Sequence, residues 1–141
     1  MDEGEFRIFL DRISDCFLKE DYGMWRGCVH LPFSMVTRKG QVILETEKDL
    51  RANFELYLQT HRTLQVDQIV RRPIAIDLCD DGTVIGTYST DILSRGKRLG
   101  APYISSMMLI PVEDGWKINS ILNARGPHDG VLSVQEEENP G

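Results

Sequence analysis

The sequence predicts an α+β fold, in which three N-terminal helices pack on the concave face of a strongly curved, mostly antiparallel sheet. Two observations lead to this prediction. Apolar residues recur mostly at helical spacing in the first half of the chain and mostly at strand spacing in the second half. Helices and strands also do not alternate along the chain, as a parallel α/β fold requires. With 141 residues, of which 41% are hydrophobic, the chain is long enough for one domain with its own core.

A helix of about four turns is predicted near the N-terminus, because five apolar residues share one helical face there. These residues are Phe6, Phe9, Leu10, Ile13 and Phe17. Asp21 fits the N-cap of a second, shorter helix, whose apolar face would contain Trp25, Cys28 and Val29. Residues 30–33 include a proline and are expected to end this helix.

Residues 35–44 are apolar and β-branched apart from a short polar interruption, which predicts a short hairpin. A capping-box pattern follows at residues 46–49 and predicts the start of a third helix. The apolar face of that helix would end near Arg62 and consists of Leu50, Phe54, Tyr57, Leu58 and His61.

The second half predicts an antiparallel meander with strands over residues 66–79, 83–93, 99–112 and 116–124, separated by turns that contain glycine. On the first of these strands, Val70, Ile74, Ile76 and Leu78 are predicted to share one face. Pro73 cannot donate a ladder hydrogen bond and is expected at a sheet edge or a bulge. Residues 126–141 contain several Gly and Pro residues and three consecutive glutamates. They are predicted to form an acidic, mobile tail outside a single domain of residues 1–125.

The net charge of −6 argues against a protein that binds a nucleic-acid backbone, which needs a basic surface. The adjacent Arg71 and Arg72 are predicted to be solvated at a strand end. Three cysteines without a paired motif indicate a reducing compartment, and the N-terminus lacks the pattern of a signal peptide, so a cytoplasmic protein is expected. No stretch is apolar enough for a membrane span. No metal-ligand spacing and no phosphate-binding loop occur, so neither a metal nor a cofactor is predicted.

Two segments resemble a known superfamily. One is the turn Lys19-Glu20-Asp21 leading to Trp25, and the other is the acidic-Gly-Trp-Lys-Ile sequence at residues 113–118. Together with the order of elements, they make the chain similar to the nuclear-transport-factor-2-like (NTF2-like) superfamily, and within it to the SnoaL-like group, over about residues 5–125. The resemblance implies a cone-shaped cavity between the helices and the concave face of the sheet. It also implies a homodimer formed through the convex face.

The ketosteroid isomerases of this superfamily use a carboxylate base and an oxyanion hole made of a tyrosine and a protonated aspartate. The resemblance places these three roles near Thr37, Ile13 and Ser105, and none of these residues matches its role. That chemistry is therefore not expected. His30, at the predicted end of the second helix, is the candidate for an acid–base or ligand-binding group.

The resemblance further implies which side chains face the cavity. The inward positions on the last three strands would include Ile92, Leu109 and Ala124 beside the candidate site residues. Those candidate ligand-binding residues are Trp25, His30, Phe33, Tyr57, His61, Tyr88, Thr90, Tyr103, Ser105, Met107, Ser120 and Leu122. The alternative is that these side chains fill the cone as ordinary core.

Two hypotheses of function follow. In the first, the protein binds a small, mostly apolar organic molecule, and any catalysis is metal-free isomerase, cyclase or hydration chemistry. In the second, it is a non-catalytic partner subunit or scaffold that acts through its sheet face. The absence of an expected inward carboxylate favours the second hypothesis, whereas the aromatic and hydroxyl residues of the cavity favour the first.

Overall fold

A computed structural model describes residues 1–125, and the predicted acidic tail lies outside these residues. The elements in chain order are α1 (Glu3–Leu18), α2 (Tyr22–Cys28), β1 (Val29–Thr37), β2 (Gly40–Leu44), α3 (Glu47–Thr63), β3 (Gln68–Leu78), β4 (Val84–Ser94), β5 (Lys97–Arg98), β6 (Tyr103–Val112) and β7 (Gly115–Leu122). The predicted α+β class with three N-terminal helices is therefore confirmed.

One sheet contains all the described strands in the order β2-β1-β7-β6-β4-β3, and the short β5 pairs with β4. Neighbouring strands are antiparallel except for the parallel pair β1 and β7. The helices lie against the concave face, with α1 packed along β3 and against α2. None of the helices in the described part of the chain combines the length and apolarity needed to span a membrane.

Side-chain caps determine where the helices begin. The Asp21 side chain accepts a hydrogen bond from the Met24 amide at 3.0 Å and caps α2 as predicted. Thr46 and Asp49 form the predicted capping box of α3. Such boxes satisfy backbone donors that would otherwise have no partner in the first turn.

The five predicted core residues of α1 are all buried, and they pack on the inner face of the sheet. Phe6 and Leu10 are fully buried. The Phe6 ring packs directly against Gly86 of β4, where a Cβ of any other residue would clash with the ring. This contact fixes α1 close to the sheet. The space that forms the cavity lies farther along α1, beside Ile13 and Phe17.

A bulge in β3 changes which of its side chains face the helices. The pairing with β4 shifts between Pro73 and Ala75, beside the proline that predicted an edge or a bulge. β3 is also an edge strand, so both readings of the proline are confirmed. Because one extra residue reverses the alternation, the prediction that Val70 shares a face with Ile76 is wrong. Val70 pairs with Asp91, on the outer face of the sheet.

A second bulge, at Asn119 in β7, overturns two predicted site residues. Met107 pairs with Ile121, whereas Leu109 pairs with Ile118, so one residue of β7 is extra. Ser120 and Leu122 therefore lie on the outer face rather than in the cavity, and Ile121 takes the inward position.

His30 is also outside the cavity, contrary to the prediction. The helix α2 ends before residues 30–33 as predicted, but these residues already belong to β1, which begins at Val29. Val29 is fully buried, and strand alternation turns the next side chain, His30, outward to an exposed position. His30 therefore does not line the cavity, and it is not positioned to exchange a proton with a ligand there.

Candidate functional site

A cavity of about 120 Å³ lies between the three helices and the concave face of the sheet. The helices contribute Ile13 and Phe17 from α1, Trp25 from α2, and Tyr57 with His61 from α3. The sheet contributes residues from β1, β3, β4, β6 and β7. They are Phe33, Met35, Ile69, Arg71, Tyr88, Thr90, Ile92, Tyr103, Ser105, Met107 and Ile121.

Aromatic rings make up most of the helical wall. The Phe17 ring is at the centre of this cluster, with its centroid 5.2 Å from that of Trp25, 5.8 Å from that of Tyr57 and 5.8 Å from that of His61. Trp25 in turn meets Phe33 of β1 edge to face. Tilted and edge-to-face pairs of this kind stabilise one another beyond their buried area, so the wall is held in place before any ligand arrives.

The polar groups of the sheet wall are neutral hydroxyls. Tyr88 is buried, and burial raises the pKa of its phenol to about 12, so the group keeps its proton at neutral pH. The Ser105 hydroxyl donates a hydrogen bond to the Asn123 carbonyl oxygen at 2.9 Å. Thr90 lies beside them and is almost fully buried. These side chains can orient a polar atom, and none of them can act as a base near pH 7.

His61 lies in the helical wall as a neutral imidazole. Burial, followed by the positive charge of Arg71, lowers the pKa of His61 to about 4. Its Nδ1 atom is buried and has no hydrogen-bond partner among residues 1–125. The same is true of the indole Nε1 of Trp25, whose side chain is only 4% exposed. Buried polar atoms are nearly always paired, and these two are exceptions among the described residues.

Arg71 lies in the cavity, and the sequence prediction that it is solvated at a strand end is wrong. Arg71 precedes the bulge of β3 in the chain, and it pairs with Thr90, whose side chain faces the cavity. Its Nη1 donates to the Ser14 hydroxyl of α1 at 2.8 Å. Arg72, the next residue, faces the opposite side and is exposed.

Of the candidate site residues predicted from the sequence, Trp25, Phe33, Tyr57, His61, Tyr88, Thr90, Tyr103, Ser105 and Met107 all line the cavity. His30, Ser120 and Leu122 do not. The inward placements of Ile92 and Ala124 are also confirmed. Prediction missed several polar residues of the lining, namely Asn53, Thr60, Arg71 and Arg125.

The mouth of the cavity includes a second arginine. Arg125 stacks with its guanidinium 4.7 Å from the centroid of the Tyr103 ring. Its carbonyl oxygen accepts a hydrogen bond from the Tyr57 hydroxyl, which ties the end of the described chain to α3.

Asn53 and Thr60 are polar residues of α3 that also line the cavity. The apolar periodicity of the sequence could not have identified them.

No cysteine is among the described residues that line the cavity. Cys16 and Cys28 are both buried, and their mutual hydrogen bond together with burial raises the pKa of the Cys16 thiol. Such a thiol is a poor nucleophile, because the thiolate is the reactive form. Across residues 1–125, no three His, Cys, Asp or Glu side chains come together as metal ligands.

Solved structures with the same arrangement of elements are found at low sequence identity. A domain of unknown function with a cystatin-like fold from Nostoc punctiforme matches with a TM-score of 0.66 at 15% identity, over 88% of this chain and 76% of that one. An NTF2-like protein of unknown function from Shewanella oneidensis matches with a TM-score of 0.63 at 8% identity, over 86% and 98%. The chain has the NTF2-like, cystatin-like fold.

Aln2 from a Streptomyces species has the same NTF2-like fold, with a TM-score of 0.60 and 17% identity over 84% of this chain and 86% of that one. No protein-family model matches the sequence, and no curated protein is significantly similar to it. The comparisons therefore establish the fold. An NTF2-like fold does not determine a function, so the chemistry of the cavity is what bears on the activity.

Proposed function

We propose that this protein binds a small, largely apolar organic molecule in the cavity between its helices and its sheet. The observation that carries the proposal is the make-up of the cavity, whose walls are aromatic and apolar and whose few polar side chains include Thr90, Ser105 and Arg71. A pocket of apolar walls with a few converging polar groups is the usual form of a small-molecule site.

The cavity favours binding over proton-transfer catalysis. Among the described residues that line it, there is no aspartate or glutamate to act as a general base. His61 is neutral, but a pKa of about 4 makes it a weak base near pH 7. Among the described residues, His61 is the titratable base that lines the cavity, since His30 faces solvent.

A blocked cavity gives the direct test of this proposal. A panel of neutral and carboxylate-bearing compounds of benzene to indole size is titrated into the protein, and the indole N–H signal of Trp25 is followed by NMR, assigned with a Trp116→Phe variant. We expect at least one compound to shift the Trp25 signal. Thr90→Phe should abolish that shift, because residue 90 faces the cavity.

Ser89→Phe is the matched control. Ser89 is the neighbouring residue of β4, it faces the other side of the sheet, and its variant should bind like the original protein. The proposal is wrong if no compound shifts the Trp25 signal, or if Thr90→Phe and Ser89→Phe respond alike.

A second candidate function is that of a partner subunit acting through the outer face of the sheet, as a homodimer or a scaffold. Two large apolar side chains support it, because Ile104 is 56% exposed and Leu122 is 55% exposed on that face. Apolar residues exposed together on one surface are typical of protein interfaces.

We expect the protein to sediment at twice its chain mass of 16.1 kDa at micromolar concentration. Leu122→Asp should convert it to a monomer, because a buried charge without a partner opposes association. Ile8→Asp, at an exposed position of α1, should leave the dimer unchanged. A wild-type chain that sediments as a monomer would remove the support for a homodimer.

A further inference from the structure

Arg71 lines the cavity, and no negatively charged side chain of residues 1–125 pairs with its guanidinium. Its one side-chain hydrogen bond within residues 1–125 goes to the neutral Ser14 hydroxyl, and it forms no ion pair with those residues. Ser14 accepts a single N–H, so most of the five guanidinium donors are left for another partner. Arg71 is half-buried, and burying a charge is costly unless it is paired.

The charge of Arg71 is also not balanced by the rest of the lining. Two arginines, Arg71 and Arg125, line the cavity, and no described aspartate or glutamate does so. This is unusual in a chain with 22 acidic and 16 basic residues. The nearest acid on β4, Asp91, faces the outer side and pairs with Arg98 at 2.9 Å between Oδ2 and Nε. Within residues 1–125, the charge of Arg71 therefore has no acidic counterpart in the lining of the cavity.

The chemistry of the guanidinium selects the charged group of the ligand. A carboxylate has two oxygens that accept several hydrogen bonds, and its planar shape matches the fork of a guanidinium. A neutral apolar ligand would leave the donors of Arg71 without an acceptor.

The size and walls of the cavity limit the remainder of the ligand. A cavity of about 120 Å³ is close to the roughly 150 Å³ that accommodates benzene in an engineered protein core. Its walls are rings such as Phe17, Phe33 and Tyr88. The body of the ligand should therefore be compact and aromatic or branched aliphatic, with the charged group at one end.

We propose that the ligand of this cavity is a compact apolar monocarboxylate, and that Arg71 is the residue that binds its carboxylate. This inference rests on the proposed function, since it specifies the chemical class of the molecule that the cavity takes.

The test compares acids with their neutral amides. Benzoate, phenylacetate and 3-phenylpropionate are titrated calorimetrically beside benzamide, phenylacetamide and 3-phenylpropionamide, at low salt and pH 7. For at least one pair, we expect the acid to bind about tenfold or more tightly than the amide, as charge-assisted hydrogen bonds predict. Arg71→Met should remove that preference and leave amide binding in place.

Arg72→Met is the matched control, because it deletes the same charge from the neighbouring, exposed position and should keep the preference for acids. If the wild-type protein binds amides as well as acids, or if Arg72→Met loses the preference as much as Arg71→Met does, Arg71 is not a carboxylate site and the proposed function still stands. If neither acids nor amides bind, the proposed function fails and the inference fails with it. Circular dichroism of each variant checks that it is folded.

Discussion

Replacing Phe6 with alanine is expected to lower the free energy of unfolding by about 3–5 kcal/mol, the usual cost of removing a buried aromatic side chain. Phe6 is fully buried on the inner face of α1, and its ring lies edge-on to Tyr88 with 6.3 Å between centroids. Truncation removes the contact that holds the N-terminal half of α1 on β4. It leaves a cavity that the surrounding side chains fill only in part.

The measurement is urea unfolding followed by circular dichroism, with Ile8→Ala as the control. Ile8 is on the same helix but is 67% exposed, so its variant should differ from the original protein by no more than about 0.5 kcal/mol. If Phe6→Ala fails to fold, Phe6→Leu keeps the prediction testable, with an expected loss of about 1–2 kcal/mol. Equal effects of Phe6→Leu and Ile8→Ala would contradict the structure.

The regular parts of this fold were predictable because the sequence pattern and the local geometry have the same period. The apolar residues of α1 recur at helical spacing, and all five are buried. Alternation in β4 groups Tyr88, Thr90 and Ile92 on one face, and the family resemblance turned that face toward the cavity, as observed. Uninterrupted periodicity carries this information from one residue to the next.

The predictions failed where one residue interrupts the alternation. A bulge reverses the alternation across it within the strand, which moves Ser120 to the outer face in β7 and puts Arg71 on the same face as Ile76 in β3. Pro73 is the sequence signal of the bulge in β3. Counting alternate positions back from that bulge would have placed the Arg71 side chain in the cavity. Asn119 gives no such signal, since neither proline nor glycine marks the bulge in β7.

His30 shows a different limit. The proline at residue 32 indicated that the second helix ends, and α2 does end before it, but the chain then passes directly into β1. A proline is tolerated in a strand when its missing N–H is not needed in the sheet. The face of His30 follows from its place next to the buried Val29 in β1, and Val29 pairs with Ile118, far away in the sequence.

Replacing Gly86 with alanine is expected to lower the free energy of unfolding by about 2–3 kcal/mol, near the upper end of the usual cost of overpacking. A Cβ at this position would lie 2.4 Å from Cζ and 2.7 Å from Cε1 of Phe6, far inside normal contact. The ring cannot move away easily because it is fully buried. Gly27→Ala makes the same change on α2, where a Cβ meets nothing within 4 Å, and it should raise stability by up to about 1 kcal/mol.

A double-mutant cycle distinguishes this clash from a general intolerance of β4 to substitution. The three atoms nearest the added Cβ are Cζ, Cε1 and Cε2 of Phe6, and leucine has no counterpart to any of them. In the Phe6→Leu background, Gly86→Ala should therefore cost less than about 1 kcal/mol, which gives a coupling of at least about 1 kcal/mol between the two positions. If Gly86→Ala costs the same in both backgrounds, the glycine is required for its backbone rather than for the ring. The close approach of α1 to the sheet would then have another cause.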